Sequence, residues 1–268
     1  MDEPIDIGDI ELWTERRGQG PDVLLIAGLG DPAEAWQPQL DGLSDRFRLT
    51  AFDNRGAGRT PLPKGRLSAA TMADAAALLR ALEVSSAHVA GFSIGSAIAQ
   101  ELALRHPELI RSLVLMSTYA RPDALWRSQL NFWRWLAEVA PRERSFFEAF
   151  FTWVYTPRAH ADGTVGQIIE EALAFPYQQS VDAFQAQVDV CLTHDTEDCL
   201  KEIGAPTLVL SGELDIILPP RFGRSVTAEN RERAVRSHAR RGAPALAGGP
   251  GGVQRPRRDL LGEVEAQG

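Results

Sequence analysis

The residues most able to do chemistry are Gly91-Phe92-Ser93-Ile94-Gly95. The apolar Ala87-His88-Val89-Ala90 before them reads as a buried strand, and Ser96 to Leu104 after them reads as a helix. A Gly-x-Ser-x-Gly turn between strand and helix is tight enough to force its serine into an unfavourable backbone conformation. Gly91 and Gly95 lack a side chain because a Cβ at either place would meet the neighbouring strand or helix. The Ser93 hydroxyl would then stand clear of the sheet at the positive end of a helix, where a developing oxyanion is stabilised. The expected chemistry is nucleophilic attack on an acyl carbon; the alternative is a plain glycine-rich turn.

A serine nucleophile needs a base to take its proton, and that base needs an orienting carboxylate. The apolar run Leu208-Val209-Leu210 leads into Ser211-Gly212-Glu213-Leu214-Asp215, and Pro219-Pro220 opens the following helix. A strand therefore ends in a loop that delivers an acid. Asp215 is the preferred acid and Glu213 the second choice.

The elements that must position these groups follow from the pattern of apolar residues. Ile5 to Trp13, turning at Gly8-Asp9, suggests a starting hairpin. Continuous apolar runs at Val23 to Ala27, Leu49 to Phe52, Ala87 to Ala90, Ser112 to Met116 and Pro206 to Leu210 predict strands buried on both faces. Helical patterns over Ala33 to Leu43, Ser68 to Leu82 and Ser96 to Arg105 lie between them. Strands alternating with helices predict an α/β fold with a mainly parallel sheet flanked by helices. The alternation stops between Arg121 and Asp198, which reads as helices alone. Half of the chain's 20 aromatic residues fall between Trp126 and Tyr155. Such an insertion after the sixth strand is expected to form a lid over the carboxyl ends of the sheet and to line an apolar pocket beside Ser93. Trp36, Phe92, Trp126 and Trp133 are the expected pocket residues. The resulting division is a core over 1–120 and 195–229, a helical cap over 121–194 and an atypical tail over 230–268.

Bulk properties narrow the functional classes. A net charge of −8 argues against nucleic acid as a partner. No stretch reaches the ~18 apolar residues of a membrane span, and Met1-Asp2-Glu3-Pro4 does not read as the start of a signal peptide. Cys191 and Cys199 lack metal-ligand spacing and read as reduced thiols, so a cytoplasmic protein is expected.

These segments together resemble the α/β-hydrolase superfamily, in its branch of small esterases, enol-lactonases and cofactor-free haloperoxidases. The resemblance runs from about Ile5 to Arg224. It implies the chain order serine, acid, histidine, and it implies no metal and no organic cofactor. Ala27-Gly28-Leu29-Gly30 sits where the family places its second oxyanion donor, so the implied donors are the N–H groups of Leu29 and Ile94. The family usually has His-Gly where this chain has Ala27-Gly28. Phe52 to Thr60 resembles the loop after the next strand, whose role is mostly structural. The implied activity is hydrolysis of a small apolar ester or lactone; the alternatives are perhydrolysis and a ligand-binding pseudo-hydrolase.

The family's catalytic histidine follows the acid by a little under thirty residues, in a loop after a last strand. Here His88, His106, His160 and His194 all precede Asp215, and His238 follows it by 23 residues. His238 is the base by elimination. Its surroundings lack the expected final strand and helix: residues 230–258 hold eight Arg, five Gly, five Ala and three Pro, and no aromatic follows Phe222. Two readings fit that composition. One is a disordered basic tail. The other is a GC-rich gene read in a shifted frame, which would displace a histidine from near Ala243.

Overall fold

The computed structural model describes residues 2–65, 67–70, 74–141, 143–229 and 234–239. An antiparallel hairpin opens the chain, β1 (Asp2–Asp6) against β2 (Glu11–Arg17), with Ile5 opposite Leu12. There follow β3 (Asp22–Ile26), a 3-10 turn over Ala33–Trp36, α1 (Gln37–Leu43), β4 (Arg48–Phe52), α2 (Ala75–Ala81), β5 (Ala87–Phe92), α3 (Ile94–Arg105) and β6 (Ile110–Met116). Five helices come next without a strand: α4 (Ala124–Val139), α5 (Arg144–Val154), α6 (Pro157–Ala161), α7 (Thr164–Ala174) and α8 (Val181–Thr193). The chain then returns to the sheet as β7 (Thr207–Gly212), α9 (Pro220–Glu229) and β8 (Ala234–Ala239).

The sheet order is β1-β2-β4-β3-β5-β6-β7-β8, and every pairing from β4 to β8 is parallel. Buried residues alternate between its two faces, as a pleated strand requires. Leu24, Ile26, Val89, Leu113, Leu115 and Val209 share one core with helices α2 and α3. Val23, Leu25, Ala90, Val114, Met116 and Leu208 share the other with Trp36 and Leu40. Covering both faces is what makes the parallel strands read as unbroken apolar runs. After β3 the chain moves to one side, to β4, and later returns to the other, to β5. The strand order thus reverses at β3 and β5, where the crevice beyond the carboxyl ends of an open α/β sheet takes ligands.

Three expectations need correction. A last strand is present: β8 pairs with β7 along its whole length, from Thr207–Ala234 to Gly212–Ala239. The sheet therefore runs past residue 229, into the stretch read as tail. Ladder hydrogen bonds come from the backbone, so an Arg- and Ala-rich composition does not forbid them. The helix expected from Ser68 begins only at Ala75; Asp74, just before it, is held by the buried Arg55 guanidinium. The helix expected from Ala33 begins as a 3-10 turn and becomes α-helical at Gln37. The displaced histidine expected near Ala243 lies outside the described residues.

Candidate active site

Ser93 links β5 to α3 and has φ 53°, ψ −117°, a conformation that L-residues rarely hold. Its neighbours fix it there. Ser93 N–H donates to the Met116 carbonyl at 2.9 Å, and the Ser93 carbonyl accepts from Ser96 N–H at 2.9 Å and Ser96 Oγ at 2.6 Å. A Cβ on Gly91 would collide with the Gly95 carbonyl, and one on Gly95 would collide with the Ile26 and Ala27 carbonyls of the strand alongside. The two glycines let strand, turn and helix approach closely enough to present the serine. Ile94 is the first residue of α3 and is fully buried. Its N–H belongs to the first helical turn, which has no acceptor within the helix.

The neighbouring strand supplies the second loop. Ile26 of β3 pairs with Gly91 of β5, so the turn at Gly28-Leu29-Gly30 lies beside the Ser93 turn. A Cβ on Gly28 would stand 2.7 Å from Asp31 Oδ2 and 3.0 Å from the Phe92 ring. Asn54 Nδ2 donates to the Ala27 carbonyl at 3.1 Å, a support from the loop after β4. That loop is anchored by Asp53, which is fully buried and accepts from Ala33 N–H at 2.6 Å and Arg59 N–H at 2.7 Å. Burial outweighs these bonds and the Arg59 charge, and pushes the Asp53 carboxyl up to about 6.

Asp215 lies in the turn after β7 and is buried. Its Oδ1 accepts from the N–H groups of Ile217 (3.0 Å) and Leu218 (2.8 Å), and its Oδ2 accepts from Ser117 Oγ at 2.8 Å. Ser117 directly follows β6, with φ 45°, and donates its own N–H to the Leu210 carbonyl. Glu213 is exposed to solvent.

Ser93, Leu29, Phe92, Ser117 and Asp215 line one cavity of about 320 Å³, walled by Trp133, Phe146, Phe147, Phe150, Phe151, Tyr155, Phe175 and Phe184. The rings interlock: Trp133 meets Phe150 edge-on with centroids 4.7 Å apart, and Phe146 meets Phe184 edge-on at 5.4 Å. The charged side chains among the described lining residues are Asp31, Glu34, Glu171 and Asp215, all acidic. Trp36 and Trp126 are not among the lining residues. Trp36 packs in the core beneath α1, and Trp126 is buried edge-on between Tyr119 and Trp133.

The histidines sort by position. His88 bonds Ser112 Oγ inside the sheet at 2.7 Å. His106 contacts Arg80, and His160 is exposed. His194 is buried against Tyr119, and burial lowers its imidazole to about 4, so it is neutral. None of these four lines the cavity. The backbone of His238 lies in β8 opposite Ser211, on the strand that leads to Asp215. The side chain of His238 lies outside the described residues. Among the described residues, no three His, Cys, Asp or Glu side chains are grouped to share a metal ion, and no helix is long and apolar enough to cross a membrane.

Known proteins resemble this chain in sequence and in fold. A sequence model of the alpha/beta hydrolase fold matches residues 21–237. The candidate carbamate hydrolase RutD of Azorhizobium caulinodans is 32% identical over 213 residues, covering 79% of this chain and 80% of RutD. The candidate non-heme bromoperoxidase BpoC of Mycobacterium tuberculosis is 32% identical over 240 residues, covering 81% and 84%. Its crystal structure superposes with a TM-score of 0.75 at 28% identity over 85% of this chain and 86% of BpoC. The enol-lactonase of Burkholderia xenovorans LB400 superposes with a TM-score of 0.77 over 88% and 91%, at 21% identity, a likeness of fold alone. By the reach of the sequence match and the agreement of the fold, the chain belongs to the α/β-hydrolase family.

Proposed function

We propose that the protein is a serine hydrolase that cleaves a small, uncharged, apolar carboxylic ester or lactone through an acyl-enzyme. The observation that carries this reading is the strained Ser93 turn in an aromatic cavity that a buried Asp215, held by three hydrogen bonds, also lines. Ser93 Oγ attacks the carbonyl carbon and its proton passes to the base, assigned to His238. Asp215 has three of its four lone-pair positions occupied by Ile217, Leu218 and Ser117, which leaves one on Oδ2 for the imidazole N–H. The Leu29 and Ile94 N–H groups hold the tetrahedral oxyanion, aided by the N-terminus of α3. The protonated base then gives its proton to the leaving alkoxide, and water repeats the sequence to release the acid. The insertion α4–α8 serves as a lid whose rings take the apolar part of the substrate.

The likeness to BpoC favours a second reading on the same scaffold, perhydrolysis, in which hydrogen peroxide replaces water at the acyl-enzyme. Rapid mixing with 4-nitrophenyl acetate or butyrate tests the first. A burst of nitrophenol close to one per Ser93 supports an acyl-enzyme. Saturable binding without a burst, unchanged in Ser93→Ala, would identify a ligand-binding pseudo-hydrolase. Monochlorodimedone bromination that requires acetate, peroxide and bromide, through peracid oxidation of bromide to hypobromous acid, would favour perhydrolysis.

A further inference from the structure

Helix α8 belongs to the insertion, yet one of its side chains is built into the loops of the core. Gln187 is fully buried. Its Oε1 accepts from Gly30 N–H at 2.9 Å, and its Nε2 donates to the Arg55 carbonyl at 2.9 Å. Gly30 directly follows Leu29 and has φ +76°, a conformation that glycine adopts without steric cost. Within that turn the backbone offers the 3.3 Å bond from Asp31 N–H to the Gly28 carbonyl. The Gln187 bond is shorter and comes from a rigid element. A second glutamine reinforces it, since Gln179 Nε2 donates to the Gly56 carbonyl at 2.9 Å.

We infer that Gln187 is a positioning residue of the oxyanion site. It fixes the Leu29–Gly30 peptide, which joins through the Leu29 Cα to the peptide carrying the Leu29 N–H, and so restrains the direction of that N–H; it also makes a seated α8 a condition of activity. The inference rests on the serine-hydrolase reading. Hydrogen bonds of this kind fail beyond about 3.5 Å, so an outward shift of α8 of about 1 Å disarms the donor.

Four measurements test it. Gln187→Met removes both bonds at similar volume. It is expected to lower kcat on the order of 10- to 100-fold with little change in KM, less than the ~10²–10³ lost when a donor is deleted outright. Affinity for an alkylboronic acid, a tetrahedral analogue, falls by the same factor as kcat/KM. Gln187→Glu, when protonated, can still accept from Gly30 and donate to Arg55. Its activity relative to wild type therefore rises as pH falls, which loss of packing alone would not produce. Independently of turnover, hydrogen exchange at amides 28–31 speeds up at least about tenfold in Gln187→Met. Raised KM with unchanged kcat and boronate affinity, or unchanged exchange at 28–31, would overturn the inference. A wild type without turnover whose exchange still responds to Gln187→Met would overturn the hydrolase reading and leave the positioning intact.

Discussion

Ser117 Oγ donates to Asp215 Oδ2 at 2.8 Å, across the carboxyl ends of β6 and β7. The bond joins a serine at positive φ to the carboxylate proposed to orient the base. With both oxygens engaged, Asp215 cannot rotate away from the cavity. Ser117→Ala is expected to cost 1.5–3 kcal/mol of stability, the range for a hydrogen bond to a charged group. It should lower kcat on the order of tenfold through a less well oriented base. Denaturant melts and steady-state kinetics check the two effects, and an unchanged kcat would remove Ser117 from the positioning of Asp215.

The Ser93 backbone stores strain that glycine would release. Ser93→Gly is expected to abolish turnover and to stabilise the fold by about 1–2 kcal/mol, the cost of a left-handed conformation for a side-chain-bearing residue. Thermal unfolding compared with Ser93→Ala isolates this term, because alanine keeps the strain. Equal melting temperatures for the two variants would show that the turn is relaxed.

Asp53 makes stability depend on pH. Its carboxyl is raised from 3.8 to about 6 in the folded chain, so folding favours the protonated form. The associated stabilisation is complete below about pH 4 and is lost as pH rises through 6, an amount of about 3 kcal/mol. The stability difference between wild type and Asp53→Asn should change by that amount across this window. A flat difference between pH 4 and 7 would contradict the raised value.

Charge at the cavity should select the substrate. Asp31, Glu34, Glu171 and Asp215 line it, and no described lining residue is cationic. A neutral 4-nitrophenyl ester is expected to exceed its ω-carboxylate analogue in kcat/KM. Glu171 is exposed, so Glu171→Lys can be made without burying a charge. It should narrow the preference several-fold at low salt and less at high salt. A preference untouched by the reversal would place discrimination elsewhere.

The elbow was legible because its requirements are local. Two glycines, a serine and the flanking apolar runs all sit within one short stretch, and Asp215 follows its strand by a single turn. What the sequence hid depends on contacts between distant segments. Gln187 meets Gly30 across 157 residues and Asn54 meets Ala27 across 27, with no neighbouring pattern to announce either. Trp36 and Trp126 read as pocket residues, but packing beneath α1 and against Tyr119 claims them for the core. Strand β8 escaped notice because its pairing with β7 is a backbone ladder, whereas composition reports side chains.

The central claim is that Ser93 is an activated nucleophile. Intact-protein mass spectrometry after treatment with a fluorophosphonate, followed by peptide mapping, tests it most directly. The account predicts one adduct per chain, on Ser93, and none in a folded Ser93→Ala variant. A folded wild-type protein that forms no adduct, or forms it on another residue, would contradict the account.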